Sequence, residues 1–292
     1  MRNSSETSFL RPRYEVSQTE QRNVLTLLSA RGIAILDRAT PPDVRPAHAA
    51  DATAFMNLLR SRRFRAVVLD PTAVTEEAIE YVALQASETA QRLLLLAPTT
   101  SLAARRILAA SRHTPVHVVL VDSESTDRLL TIELQRLDVG SARAPLLSVV
   151  NDAVGMFPPS MCAAAVSLFG VLPLPESSLE FARRVGCSRR TLDRWARRAG
   201  FRGAASLLRS VRLAWAWEMS KDEGRDTWKG VSAECGYGSA RTLRAHSRRL
   251  LGLAPGKLAQ TSFEGALVER LAHTAIGPPR RSARAVLKET DR

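Results

Sequence analysis

Five polar side chains recur within one short stretch: Arg189, Arg190, Asp193, Arg194 and Arg197. Leu192 and Trp195, three apart, fall on the opposite side at helical spacing, so the five project together from one face. A guanidinium is a planar fork of donors. It matches the O6 and N7 acceptors of guanine in the major groove with two hydrogen bonds, and it holds phosphate oxygens by charge. Ser239, Ala240, Arg241 and Arg244 form a second set of this kind. Arg198, Arg202, Arg248 and Arg249 flank the two sets. They are expected on phosphates, which orient a protein on the duplex without reading its sequence. His246 lies beside the second set as a phosphate contact or a plain exposed side chain. Trp195, Trp215, Trp217 and Trp228 have faces that could stack on bases, but at these spacings aromatics are expected in the core.

The surrounding elements explain how such sets would be held. Leu179, Phe181, Ala182 and Val185 give a first helix an apolar face, and the small Ala182 lets another helix cross closely. Gly186 stands where the chain must turn, and Ser188 is suited to cap the helix that follows and to face DNA from its start. Helix, glycine turn and capped second helix make the sequence form of a helix-turn-helix. The pattern returns with Val231 and Ser232, Gly236, Ser239 as cap, and Leu243 facing inward while Arg241, Arg244 and Arg248 face out. Between the two copies, Leu207, Leu208, Val211, Ala214, Trp215 and Met219 keep three-and-four spacing, which predicts one connecting helix over Ala204 to Met219. A rigid connector would place the two second helices in successive major-groove segments about one helical turn (~34 Å) apart.

Residues from Met161 to Leu258 resemble the DNA-binding domain of the AraC/XylS family of bacterial transcription regulators. The resemblance rests on Leu179 to Leu192, on Arg212-Leu213-x-x-Ala216-x-x-Met219, on Gly236-Tyr237-Gly238-Ser239 and on Arg248 to Pro255. Ser232, Thr242, Leu243 and Ser247 depart from the family pattern and thin the core of the second unit. The resemblance implies seven helices in two half-domains and sequence-specific promoter binding.

Charge points the same way. The net charge is +13, yet residues 1–140 carry 17 basic and 16 acidic side chains, and residues 141–292 carry 25 and 13. A basic half joined to a neutral half suits a polyanion-binding module attached to something else. No apolar run reaches membrane-spanning length, and Met1 to Tyr14 lacks the apolar stretch of a secretory signal. Cys162, Cys187 and Cys235 are scattered and are expected as reduced thiols.

The first half alternates helix-like stretches (Asn23 to Ala30, Ala52 to Arg60, Glu76 to Ala90, Leu102 to Ser111, Asp127 to Leu137) with short apolar runs (Gly32 to Leu36, Ala66 to Leu69, Leu93 to Leu96, Val116 to Val121). This order predicts an α/β domain with a small parallel sheet, receiver-like or flavodoxin-like. Leu129, Leu130, Ile132, Leu134 and Leu137 suit a dimer face or core. The order resembles a degenerate response-regulator receiver, in which Asp70 falls at the position of the phosphoacceptor. However, no acidic pair for Mg²⁺ precedes Gln21, and Asp122 stands where a receiver places lysine. Asp70 is therefore expected to cap a loop. The first half holds no cysteine, and His48, His113 and His117 have no partnered nucleophile, so no catalytic residue, cofactor or metal is expected.

The expected organisation is a regulatory or dimerisation α/β domain at 1–140, a linker at 141–158, an all-α DNA-binding domain with two helix-turn-helix units at 159–262, and a C-terminal helix with a flexible basic tail at 263–292. The expected function is that of a sequence-specific regulator in the bacterial cytoplasm, associated with the nucleoid. Its partner is double-stranded promoter DNA, with RNA polymerase and a second copy of the chain as further candidates. Two alternatives stay open: a nucleoid-type protein binding DNA by charge alone, and a ligand sensor with an enzyme-derived first domain.

Overall fold

The computed structural model describes residues 22–60, 64–137, 143–155, 158–198, 200–220 and 228–258. Five strands lie among them: β1 (Arg22–Leu27), β2 (Val44–His48), β3 (Ala66–Leu69), β4 (Arg92–Ala97) and β5 (Val116–Leu120). A strand covered on both faces needs apolar side chains at successive positions, and β3, β4 and β5 have them. All pairs are parallel, in the order β2-β1-β3-β4-β5. This is the flavodoxin-like doubly wound order, whose winding reverses between β1 and β3.

Parallel neighbours require crossovers. α1 (Ala30–Ala39), α2 (Ala52–Arg60), α3 (Glu76–Glu88) and α4 (Ser101–Ala110) supply them, and α5 (Thr126–Gln135) follows the last strand. Right-handed connections put α1 on one face of the sheet and the next three helices on the other. α5 returns to pack on α1, and α3 packs on α4. Ser29, Thr75 and Thr100 start three of these helices, each side chain accepting a hydrogen bond from the backbone N–H three residues on.

Two elements exchange places relative to the sequence expectation. Asn23 to Ala30, expected as a helix, holds β1, and Gly32 to Leu36, expected as a strand, lies inside α1. β1 is a central strand with Val24 to Leu27 all buried, so it shows no alternation to distinguish it from a buried helix. Within α1 the buried residues, Gly32, Ile35, Leu36 and Ala39, follow helical spacing behind the Ser29 cap. β2 is absent from the expectation. It is an edge strand with Pro46 inside it and mixed burial.

α6 (Arg143–Gly155) occupies most of the stretch expected as a linker, and packs on β5 and α4. α7 (Pro159–Gly170) packs on α4 and β5. Its last residue comes so close that a Cβ on Gly170 would lie 3.0 Å from the Val118 carbonyl oxygen, which covers the open edge of the sheet. The remaining described elements are all helical: α8 (Ser178–Arg184), α9 (Arg189–Arg198), α10 (Ala204–Met219), α11 (Trp228–Glu234), α12 (Ala240–Leu251) and α13 (Pro255–Leu258). Buried side chains of the sheet and of these helices form one continuous core. Leu129, Leu130 and Leu134 belong to it, so the α5 leucine stripe faces the core. The C-terminal helix and basic tail expected over 263–292 lie outside the described residues.

Candidate nucleic-acid interface

Two turns in the helical region are built the same way. After α8, Cys187 N–H donates to Ala182 O at 2.9 Å and Gly186 N–H to Arg183 O at 3.0 Å. After α11, Tyr237 N–H donates to Ser232 O at 2.7 Å and Gly236 N–H to Ala233 O at 3.0 Å. Each pair closes a helix end around a residue with positive φ, +69° at both Gly186 and Gly236. The next helix then starts on a serine. Ser188 Oγ accepts from Thr191 N–H at 3.1 Å, and Ser239 Oγ from Thr242 N–H at 3.2 Å. Each helix is anchored inward by residues with no exposure, Leu192 and Ala196 on α9 and Leu243 and Ser247 on α12.

Those anchors leave the basic residues outside. Arg189, Arg190, Arg194, Arg197 and Arg198 are exposed on α9 and border one open surface depression. Arg241, Arg244, Arg248 and Arg249 are exposed on α12, as are Ser188 and Ser239 at the two caps and Arg202 before α10. Ala240 is half-buried.

Asp193 lines the same depression but is half-buried, and its Oδ1 accepts the Ala204 N–H at 3.3 Å, which ties α9 to the start of α10. Two expectations need correction. Leu179, expected in the core, is 44% exposed, while Phe181 and Ala182 are buried as expected. His246 is half-buried, with its ring 5.5 Å from that of Tyr237 in an edge contact. Burial and the nearby Arg209, Arg212 and Arg249 lower its pKa, which disfavours a charged phosphate contact. Trp215 and Trp217 are buried, as expected of core residues.

α10 joins the units as one unbroken helix, buried along its second half. The segment before α8 fastens the second unit to it. Leu174 N–H donates to Glu234 O at 3.0 Å, and the buried Arg212 of α10 donates to Pro175 O. Gly236 sits directly on this segment: a Cβ there would come within 2.6 Å of Leu174 O and 2.7 Å of Pro175 O.

A buried charge cluster at the junction of sheet and helices escaped sequence reasoning. Arg143 donates to Glu133, from Nε to Glu218 Oε2 at 2.6 Å, and from Nη1 to Phe169 O at 2.6 Å. Its guanidinium carbon lies 3.5 Å from the Trp215 ring centre. His117 Nδ1 is 2.7 Å from the other Glu133 oxygen. Burial lowers the His117 pKa against the opposing pull of Glu133. Arg143 and His117 hold the Glu133 carboxyl well below its ordinary range, against burial.

At the ends of the strands, Asp70 Oδ1 accepts from Thr72 N–H at 2.8 Å and from Thr72 Oγ1 at 2.7 Å, closing a loop. Asp122 Oδ2 accepts from Thr99 N–H at 2.9 Å. Among the described residues no helix is long and apolar enough to cross a membrane.

Residues 181–261 match the family model described as a helix-turn-helix domain, which spans both turns and both serine-capped helices. The C-terminal region is an AraC-type helix-turn-helix domain, and the chain is a DNA-binding transcription regulator. The matched family is one of DNA-binding regulator domains. No curated protein and no solved structure matches the chain.

Proposed function

We propose that this regulator reads two successive major-groove segments of promoter DNA, the first with α9 and the second with α12. The observation that carries this is the repeated turn: the same two backbone hydrogen bonds, the same φ and the same serine cap, each followed by exposed arginines. Ser188, Arg189, Arg190, Arg194 and Arg197 face the first segment, and Ser239, Ala240, Arg241 and Arg244 the second. Arg198, Arg202, Arg248 and Arg249 hold phosphates. Asp193 contributes by fixing α9 on α10. In this reading the DNA-binding domain spans 159–262, and the α/β domain serves signal input or dimerisation. The setting is the nucleoid of a bacterial cytoplasm. Contact with RNA polymerase and pairing with a second copy are extensions of the same reading.

Selection from a random-sequence duplex pool with the full chain, at two salt concentrations, tests this. Two short preferred blocks about one turn (~34 Å) apart are expected. Uniform, strongly salt-dependent binding with no enriched site would overturn it and favour a protein bound by charge alone.

A further inference from the structure

α5 belongs to the α/β domain, yet its side chains reach both supports of the second reading unit. Arg128 Nη2 lies 2.6 Å from Glu234 Oε1, on the last residue of α11. Glu133, further along α5, holds the Arg143 guanidinium, and Arg143 in turn holds Glu218 on the last turn of α10. The Arg143 backbone N–H donates to the other Glu218 oxygen at 2.8 Å. Arg136, just after α5, donates from Nη2 to Glu218 O at 2.6 Å. α12 packs on α10 and α11, the two helices that these contacts hold. The first unit packs on α10 through both of its helices.

We propose that α5 is a positioning element for the second reading unit: through Arg128 and Glu234, and through Glu133, Arg143 and Glu218, it sets where α12 stands relative to α9. The inference rests on the two-unit reading above. Arg128 and Arg143 are positioning residues, since they act on DNA through α10 and α11. An event that shifts α5 changes what the second unit reads while the first unit keeps its preference. The α/β domain is on this account part of the reading geometry, and not a separate body on a tether.

The test uses the full chain and the duplex recovered by selection, in competition with duplexes in which the first or the second block is scrambled. Arg128 is half exposed, so Arg128→Glu leaves no buried unpaired charge in its place. Reversal places two carboxylates against each other. Discrimination against the scrambled second block is expected to fall about two- to fivefold, the scale of one exposed ion pair. Discrimination at the first block is expected to hold. Ratios cancel any uniform loss from the changed net charge. The swap Arg128→Glu with Glu234→Arg restores both the pair and the net charge, and is expected to restore the second-block ratio. An unchanged second-block ratio in Arg128→Glu, an equal loss at both blocks, or no recovery in the swap would overturn the inference and leave two-unit reading standing. A wild-type chain with no second-block preference would overturn both.

Discussion

Arg143 Nε and Glu218 Oε2 lie 2.6 Å apart across 75 residues of sequence, and both side chains are 4% exposed. Desolvation makes such a pair nearly neutral while intact, but removing one partner strands the other charge away from water. Arg143 is shared by two carboxylates, so its loss takes the buried countercharge from both. Arg143→Met is expected to lower stability by about 3–5 kcal/mol in urea unfolding of the full chain. A transition at the wild-type midpoint would show that the cluster is not held as described.

The same contacts bear on how the chain divides. A fragment 159–292 keeps both helix-turn-helix units but loses Arg143 and the α4 and β5 surfaces on which α7 packs. It is expected to melt well below the full chain when followed by circular dichroism. A fragment as stable as the full chain would show that the helical region stands alone.

Acid should loosen the junction. His117 and Glu133 both have folded-state pKa values below their ordinary ones, His117 because burial disfavours its charge and Glu133 because Arg143 and His117 outweigh burial. A group with a lowered folded pKa contributes stability above its unfolded pKa and loses it as pH falls. The His117 contribution is therefore present above about pH 6.5, the ordinary value for histidine, and declines below it. That of Glu133 declines below its own ordinary value of about 4.3. Unfolding midpoints measured from pH 7.5 to 5 are expected to fall with pH, and His117→Gln to flatten the slope. A midpoint that rises toward pH 5 would reverse the assignment.

Gly186 and Gly236 share a φ of +69°, but their surroundings differ. Nothing lies within 4 Å of a Cβ on Gly186, whereas two backbone carbonyls crowd one on Gly236. Gly186→Ala is expected to cost about 1–2 kcal/mol, the strain of a left-handed backbone. Gly236→Ala is expected to cost about 1–3 kcal/mol more through overpacking. Equal losses in parallel urea titrations would mean that the 174–175 segment does not press on the second turn.

The readable parts of the sequence are those where one residue type answers one local demand. Gly186 and Gly236 answer a left-handed turn, Ser188 and Ser239 a helix start, and each stands where the structure puts those features. α10 has the bounds its apolar spacing predicts. β1 and α1 were not separable by pattern, because a strand buried on both faces and a short amphipathic helix both present dense apolar residues. Glu133 and Glu218 carried a local sign of their role. Glu133 lies between buried Leu129, Leu130 and Leu134, and Glu218 lies three residues after Trp215 on a buried helix. A charge on an apolar stripe demands a partner, but Arg143 is 10 residues from one and 75 from the other, a pairing that only the fold brings about.

The most direct test of the account assigns each reading helix its own block of DNA. Full-length wild type, Arg190→Ala and Arg241→Ala are each put through selection from the random duplex pool, and the enriched sites are compared position by position. Arg190→Ala is expected to relax a position in one block and Arg241→Ala a position in the other, each at a cost of about 1–3 kcal/mol for a lost bidentate base contact. Enriched sites identical to wild type for both variants, or relaxation of the same position by both, would contradict reading by two separate helices.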